Sequence, residues 1–172
     1  TPYFYKVTMT TALGTSPASE TVSATPHPFS STCTLESSAD AYVRGGSTAT
    51  NNYGSATQLV VKNATTADNY RKGYIRFDLT GQDVHSTPNA SLQLIASTWD
   101  ETTPWQVYGM KNGDAGESWV ESSITWNNAP ANITTTGDTL VSSRVVFLGT
   151  LAPAGVPPLG SVLELRSAAL DA

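Results

Sequence analysis

Apolar and polar residues alternate along most of this chain with a period of two, the signature of strands buried on one face. Tyr3, Tyr5, Val7 and Met9 alternate with Phe4, Lys6 and Thr8. A turn follows at Ala12-Leu13-Gly14-Thr15-Ser16-Pro17, and Glu20 to Thr25 alternates again with Val22 and Ala24 facing one way. Farther on, strand-like runs recur at Asp40-Ala41-Tyr42-Val43, Leu59-Val60-Val61-Lys62, Gly73 to Leu79, Ala90 to Ala96 and Trp105 to Met110. In Gly73 to Leu79 the pattern predicts Ile75, Phe77 and Leu79 inward and Tyr74, Arg76 and Asp78 outward. In Ala90 to Ala96 it predicts Leu92 and Leu94 inward. Turn-rich segments such as Gly45-Gly46-Ser47 and Asn51-Asn52-Tyr53-Gly54 separate the runs. No segment carries a 3.6-residue period. The chain is therefore expected to be all-β, an antiparallel β-sandwich of jelly-roll-like form.

The first two strands make a hairpin, and a lone hairpin is marginal in water. It predicts partner strands that this sequence does not contain. Tyr-x-Tyr-x-Val, a Gly-x-Ser turn and then Ser-x-x-Val-Ser-Ala-Thr-Pro, over roughly residues 1–25, resemble the last two strands of a fibronectin type III domain. Pro26-His27-Pro28-Phe29-Ser30-Ser31 reads as a stiff linker over 26–32, with two prolines favouring an extended chain. His27 has no partner pattern around it. A sandwich domain is expected over 33–172.

Only 13% of the residues are charged, about half the usual share, and Thr, Ser, Ala and Gly take their place. This neutral, hydroxyl-rich surface matches secreted bacterial β-proteins, so an extracellular location is expected. The formal net charge of −5 argues against nucleic acid, whose phosphates require a basic surface. No apolar run approaches the length of a membrane span. Cys33 is the only cysteine, which excludes an intrachain disulfide and predicts a small buried hydrophobe.

The most distinctive stretch is Ser118-Trp119-Val120-Glu121-Ser122-Ser123-Ile124-Thr125-Trp126-Asn127-Asn128-Ala129-Pro130. Its two Trp residues either stack on sugar rings or pin a long loop to the sandwich, with Asn127 and Asn128 satisfying backbone groups. The second role is expected of Trp119, Trp126 and Asn127. Together with Ala39-Asp40-Ala41-Tyr42-Val43, Asn52-Tyr53-Gly54, Leu59-Val60-Val61-Lys62-Asn63 and Arg71-Lys72-Gly73-Tyr74-Ile75-Arg76-Phe77-Asp78-Leu79, this stretch resembles carbohydrate-binding module family ninety-six over residues 36 to about 172. The resemblance implies a β-sandwich of the kind attached to secreted polysaccharide lyases, alginate lyases among them, or repeated in large surface proteins. Modules of that family continue through two or three strands past one like Ser161-Val162-Leu163-Glu164-Leu165-Arg166. The resemblance thus predicts a module lacking its last strands here, supplied by further chain or by a neighbouring chain across open sheet edges.

Lys62, Arg71, Lys72 and Arg76 gather four of the nine Lys and Arg into a short segment. With Leu59 and Val61 inward, Lys62 points outward, and Lys62, Tyr74 and Arg76 would share a solvent face. Arg forks and Lys point charges suit carboxylates. The candidate carbohydrate-binding residues are accordingly Lys62, Arg71, Lys72, Tyr74 and Arg76, for an anionic polysaccharide such as a uronate polymer. The alternative is a solvated face paired with Asp68 and Asp78. Glu36 and Asp40 are the candidate ligands for a structural calcium ion, and no cofactor is otherwise required. An enzyme is not expected. Asp100 with Glu101, and Glu117 with Glu121, lie in turns without a supporting motif; His85 sits in a connecting loop. The two functional expectations are a non-catalytic carbohydrate-binding module of a secreted multi-domain protein, or a structural, adhesive module of a cell-surface protein or filament.

Overall fold

A computed structural model describes residues 2–24, 33–81, 89–98 and 104–171. The linker over 26–32 with His27, and likewise His85, Asp100 and Glu101, lie outside the described residues. The chain divides into two units, Thr1–Thr34 and Leu35–Ala172.

The first unit holds β1 (Tyr3–Tyr5), β2 (Thr10–Thr11), β3 (Gly14–Thr15) and β4 (Val22–Ala24). β1 pairs antiparallel with β4, placing Tyr3 opposite Ala24 and Tyr5 opposite Val22, and β2 pairs with β3. Between them, Ser hydroxyls extend the ladder: the Val7 N–H donates to Ser19 Oγ at 3.0 Å and the Met9 N–H to Ser16 Oγ at 3.1 Å. The alternation predicts a buried face at Tyr3, Tyr5, Val7 and Met9, yet all four are exposed. A two-stranded ribbon carries hydrogen bonds but no second layer to cover either face. Cys33 is exposed too, contrary to expectation, because it precedes the first strand of the next unit and no core surrounds it.

The second unit contains β5 (Ala39–Arg44), β6 (Arg71–Arg76), β7 (Ser91–Ile95), β8 (Trp105–Met110), β9 (Val145–Leu151) and β10 (Val162–Arg166). β5 pairs with β6, β7 with β10 and β8 with β9, all antiparallel. The connections contain only short 3₁₀ turns among the described residues, and no helix there is long and apolar enough to cross a membrane. The fold is an all-β antiparallel sandwich. Between β8 and β9 the register slips at Val107/Tyr108, and Gly149 absorbs the bulge with φ of 149°, a conformation that side-chain-bearing residues avoid.

Two apolar clusters fill the interior of this unit. One gathers Ala41, Val43, Ile124, Trp126 and Ala129; the other gathers Ala96, Leu151, Leu163 and Leu165, with Leu92 and Leu94 packed against it as the alternation predicts. The strand expected at Leu59–Lys62 reduces to one bridge, Lys62 to Arg71.

The facing of β6 is the reverse of the sequence expectation. Ala41 and Val43 are 2% and 0% exposed, and their register partners are Tyr74 and Lys72. Partners across an antiparallel pair share a face. Lys72, Tyr74 and Arg76 therefore turn inward, while Phe77 and Leu79 fall beyond the strand and are exposed. The physical reason is that long amphipathic side chains lay apolar stems across a core and carry polar tips to its rim.

Candidate functional site

The inward row of β6 holds the long loop that follows β8. Lys72 Nζ donates to Asn132 Oδ1 at 2.8 Å and to the Thr139 carbonyl at 2.7 Å, and lies 5.0 Å from the centroid of the Trp126 ring. Burial lowers its pKa to about 8, against a smaller opposing effect of Asp138. The Tyr74 hydroxyl donates to the Pro130 carbonyl at 3.1 Å, and burial raises its pKa. Arg76 Nη1 donates to the Trp119 carbonyl at 2.6 Å, with the guanidinium 5.7 Å from the Trp119 ring centroid. Three of the five sequence-predicted sugar contacts are thus engaged with the protein's own loop.

Loop residues complete that attachment. Trp126 is 1% exposed, and its indole N–H donates to the Thr134 carbonyl at 3.0 Å. Asn132 Nδ2 donates to the Trp126 carbonyl at 2.6 Å. Trp119 is half-buried and meets Tyr74 edge-on at 6.2 Å. Asn128 closes the turn, accepting the Thr125 N–H at 2.6 Å and donating to the Ser123 carbonyl at 3.0 Å. Asn127 is exposed and takes part in none of these bonds.

The opposite face of β5 and β6 is turned to solvent. There Arg44 is the register partner of Arg71, and Arg71 is bridged to Lys62. The Lys62–Arg71 bridge exchanges both main-chain bonds, at 3.0 and 2.9 Å. With its main-chain groups used on that side, Arg71 meets Arg44 as a non-hydrogen-bonded pair, the kind that brings side chains closest, with Cα atoms about 4.5 Å apart. Three cations therefore stand in line across adjacent chain segments.

Arg44 Nε donates to the Asp68 carbonyl at 2.7 Å, and Arg71 Nη1 reaches the Asn69 carbonyl at 3.5 Å. The Asp68 carboxylate is turned to the Ser47 N–H at 2.5 Å; hydrogen bonding by Ser47, ahead of the Arg44 charge, lowers its pKa. The ion pairs among the described residues are Arg144–Asp114 and Arg166–Glu164, so none involves this row.

Beside the row, two residues back along β5, Tyr42 stacks on Tyr53 with ring centroids 4.5 Å apart and planes at 19°. Tyr53 is held by its loop: Asn52 Nδ2 donates to the carbonyls of Glu121 and Ile124, both at 2.7 Å, and Asn52 Oδ1 accepts the Gly54 N–H at 3.1 Å. Gly54 lies so close to Glu121 that a Cβ there would collide with its backbone. Across from Tyr42 stands Gly73, which is exposed.

Glu36 is exposed and Asp40 half-buried, its carboxylate accepting from Ser37 Oγ at 3.1 Å. Among the described residues no three His, Cys, Asp or Glu side chains come together.

The sequence profile of carbohydrate-binding module family 96 matches residues 31–147, more than half of the chain. The chain belongs to that family. A search of the curated proteins finds no match. The family 96 match covers β5 to β8, both faces of the β5–β6 pair and the whole Trp119–Pro130 loop, and ends within β9.

Sequence reasoning passed over Arg44, Tyr42, Tyr53 and Gly73. The signal for the first two was present: Ala39, Ala41 and Val43 alternate with Asp40, Tyr42 and Arg44 over the length of β5. Small and branched residues mark the buried side, which leaves Tyr42 and Arg44 outside. Tyr53 carries no such signal, because a loop contact places it.

Proposed function

We propose that this family 96 module is a non-catalytic carbohydrate-binding domain for an acidic polysaccharide such as alginate, in an extracellular multi-domain protein. The observation that carries the reading is the row Arg44–Arg71–Lys62. Like charges directly opposite one another destabilise a sheet, and among the described residues no ion pair engages these three; the Asp68 carboxylate near Arg44 is held chiefly by Ser47. A polymer with a carboxylate on each sugar supplies the missing charge. Arg71 and Lys62 present the fork and the point charge; Lys72, Tyr74 and Arg76 support the sheet from behind by holding the loop. The net charge of −5 does not oppose this, since screening confines surface charge effects to about 10 Å at ordinary ionic strength. The fibronectin-like ribbon at 1–25 fits a spacer between modules.

Calorimetry against alginate, pectate and a neutral glucan tests the reading. Binding to the uronate polymers alone is expected, weakening as salt rises. Arg71→Gln and Lys62→Ala should each reduce affinity by about three- to tenfold, the scale of one exposed charge-assisted contact. Equal binding to the neutral glucan, or no binding to any polymer, overturns it.

A second reading, an adhesive module that associates through sheet edges, draws on the cross-strand pair Ile95 and Val162, exposed by 76% and 59%. Concentration-dependent self-association, abolished by Ile95→Lys, would favour it.

A further inference from the structure

We infer that Gly73, Tyr42 and Tyr53 form a subsite for the ring of a hexuronate residue, beside the cationic row that takes its carboxylate. The inference rests on the proposed binding of acidic polysaccharide and adds where, and by which face, a sugar lies.

Gly73 is the starting observation. It occupies the interior of β6, where glycine costs backbone entropy and contributes no packing. Its φ is not in the left-handed region, so conformation does not require glycine there. A Cβ would meet one group, the Val61 Cγ2 methyl at 3.3 Å, so crowding does not strictly require it either. Glycine in such a place leaves the strand backbone open to close approach from outside. Its register partner is Tyr42, so the opening lies beside an aromatic ring.

That ring is one half of the Tyr42–Tyr53 stack. Two stacked tyrosines on a solvent face form a rigid aromatic ledge, and the apolar face of a pyranose packs on such a surface. Neither phenol has a hydrogen-bond partner in the described residues, which leaves two hydroxyls for sugar hydroxyls. The ledge is preorganised: Asn52 fixes the Tyr53 loop to the turn at Glu121 and Ile124. Along β5 the step from Tyr42 to Arg44 is about 7 Å, two residues of strand rise. A ring over the ledge thereby sets a carboxylate within reach of Arg44 and Arg71. Aromatic ledge, open backbone and cation at that spacing select a sugar acid over a neutral sugar and over a polyanion without rings.

The test compares alginate with polyglutamate, a polyanion lacking sugar rings, by calorimetry on the whole chain. Gly73→Val fills the opening with a residue that strands favour; Tyr42→Phe and Tyr53→Phe keep the rings and remove the hydroxyls. Each variant should bind alginate about tenfold more weakly while keeping the weaker polyglutamate binding of the parent chain. Should Gly73→Val not fold, judged by circular dichroism, the two Tyr→Phe variants decide alone. Alginate binding at the parent level in the folded variants overturns the subsite and leaves the acidic-polysaccharide reading standing. No alginate binding by the parent chain overturns both.

Discussion

The ammonium of Lys72 lies 5.0 Å from the centroid of the Trp126 ring, on the inward side of a sheet whose outward side carries three other cations. One strand thus uses lysine and arginine in two ways. Inward, they fasten a loop through carbonyl oxygens. Outward, they form no ion pair among the described residues. Lys72→Met should separate the two roles. It leaves Asn132 Oδ1 and the Thr139 carbonyl without their donor and should destabilise the fold by roughly 1–3 kcal/mol. Alginate affinity of the folded fraction should stay at the parent level. Chemical denaturation and calorimetry on the same sample check both halves.

The lowered pKa of Lys72 makes stability depend on alkaline pH. Its value is about 8 in the folded chain and near 10.5 when unfolded, so between these the unfolded state binds more protons. Stability should therefore rise as pH increases from 8 towards 10. Above 10 the buried Tyr74 phenol reverses the trend, because the unfolded chain ionises there and the folded one resists. Melting temperatures across pH 7 to 11 should pass through a maximum near 10. Lys72→Met should remove the rising limb and keep the fall.

Trp126 tests whether the loop is fixed by packing or by its indole hydrogen bond. Trp126→Phe keeps most of the ring but leaves the Thr134 carbonyl without its donor, a loss of about 1–2 kcal/mol. Trp126→Ala removes the centre of one apolar cluster and should cost about 3–5 kcal/mol. Equal losses from the two variants would show that the hydrogen bond alone matters.

Asp114 contributes to the acid limit, alongside Glu164, whose carboxyl is also held near 2, by Arg166 foremost. Asp114 accepts from Arg144 at 2.6 and 2.9 Å and from the Gly116 N–H at 2.7 Å, and these bonds, the Arg144 one foremost, hold its pKa near 2. A depressed carboxyl pKa stabilises the fold above about 3.8 and loses that effect as pH falls towards 2. Asp114→Asn should flatten the melting profile across that interval. An unchanged profile would remove the role assigned to this pair.

The strands were legible where a single local period decided them. Trp105–Met110 was read with its observed limits, and Leu92 and Leu94 face the core as expected. The alternation in β6 was also real, but alternation separates two faces without saying which one is inside. That choice was made by Pro130, Asn132 and Thr139, distant carbonyl and amide oxygens that attract the tips of Tyr74 and Lys72. Hydrophobicity alone favoured Ile75 and Phe77. For the same reason the alternation groups Arg76 and Tyr74 with Lys62 on one solvent face, whereas the register turns Arg76 and Tyr74 inward and sets Arg71 outward beside Arg44. The ledge at Tyr53 depends on Asn52 reaching a turn far along the chain, and no local pattern encodes such a contact.

That reach has a consequence for anyone wishing to graft the face onto another scaffold. The β5–β6 pair carries most of the residues of that face, but Tyr53 keeps its place only while Asn52 grips Glu121 and Ile124. A transplanted hairpin would bring the cations and lose the ledge. A graft of this face must therefore carry the turn at Glu121 and Ile124 along with the β5–β6 sheet.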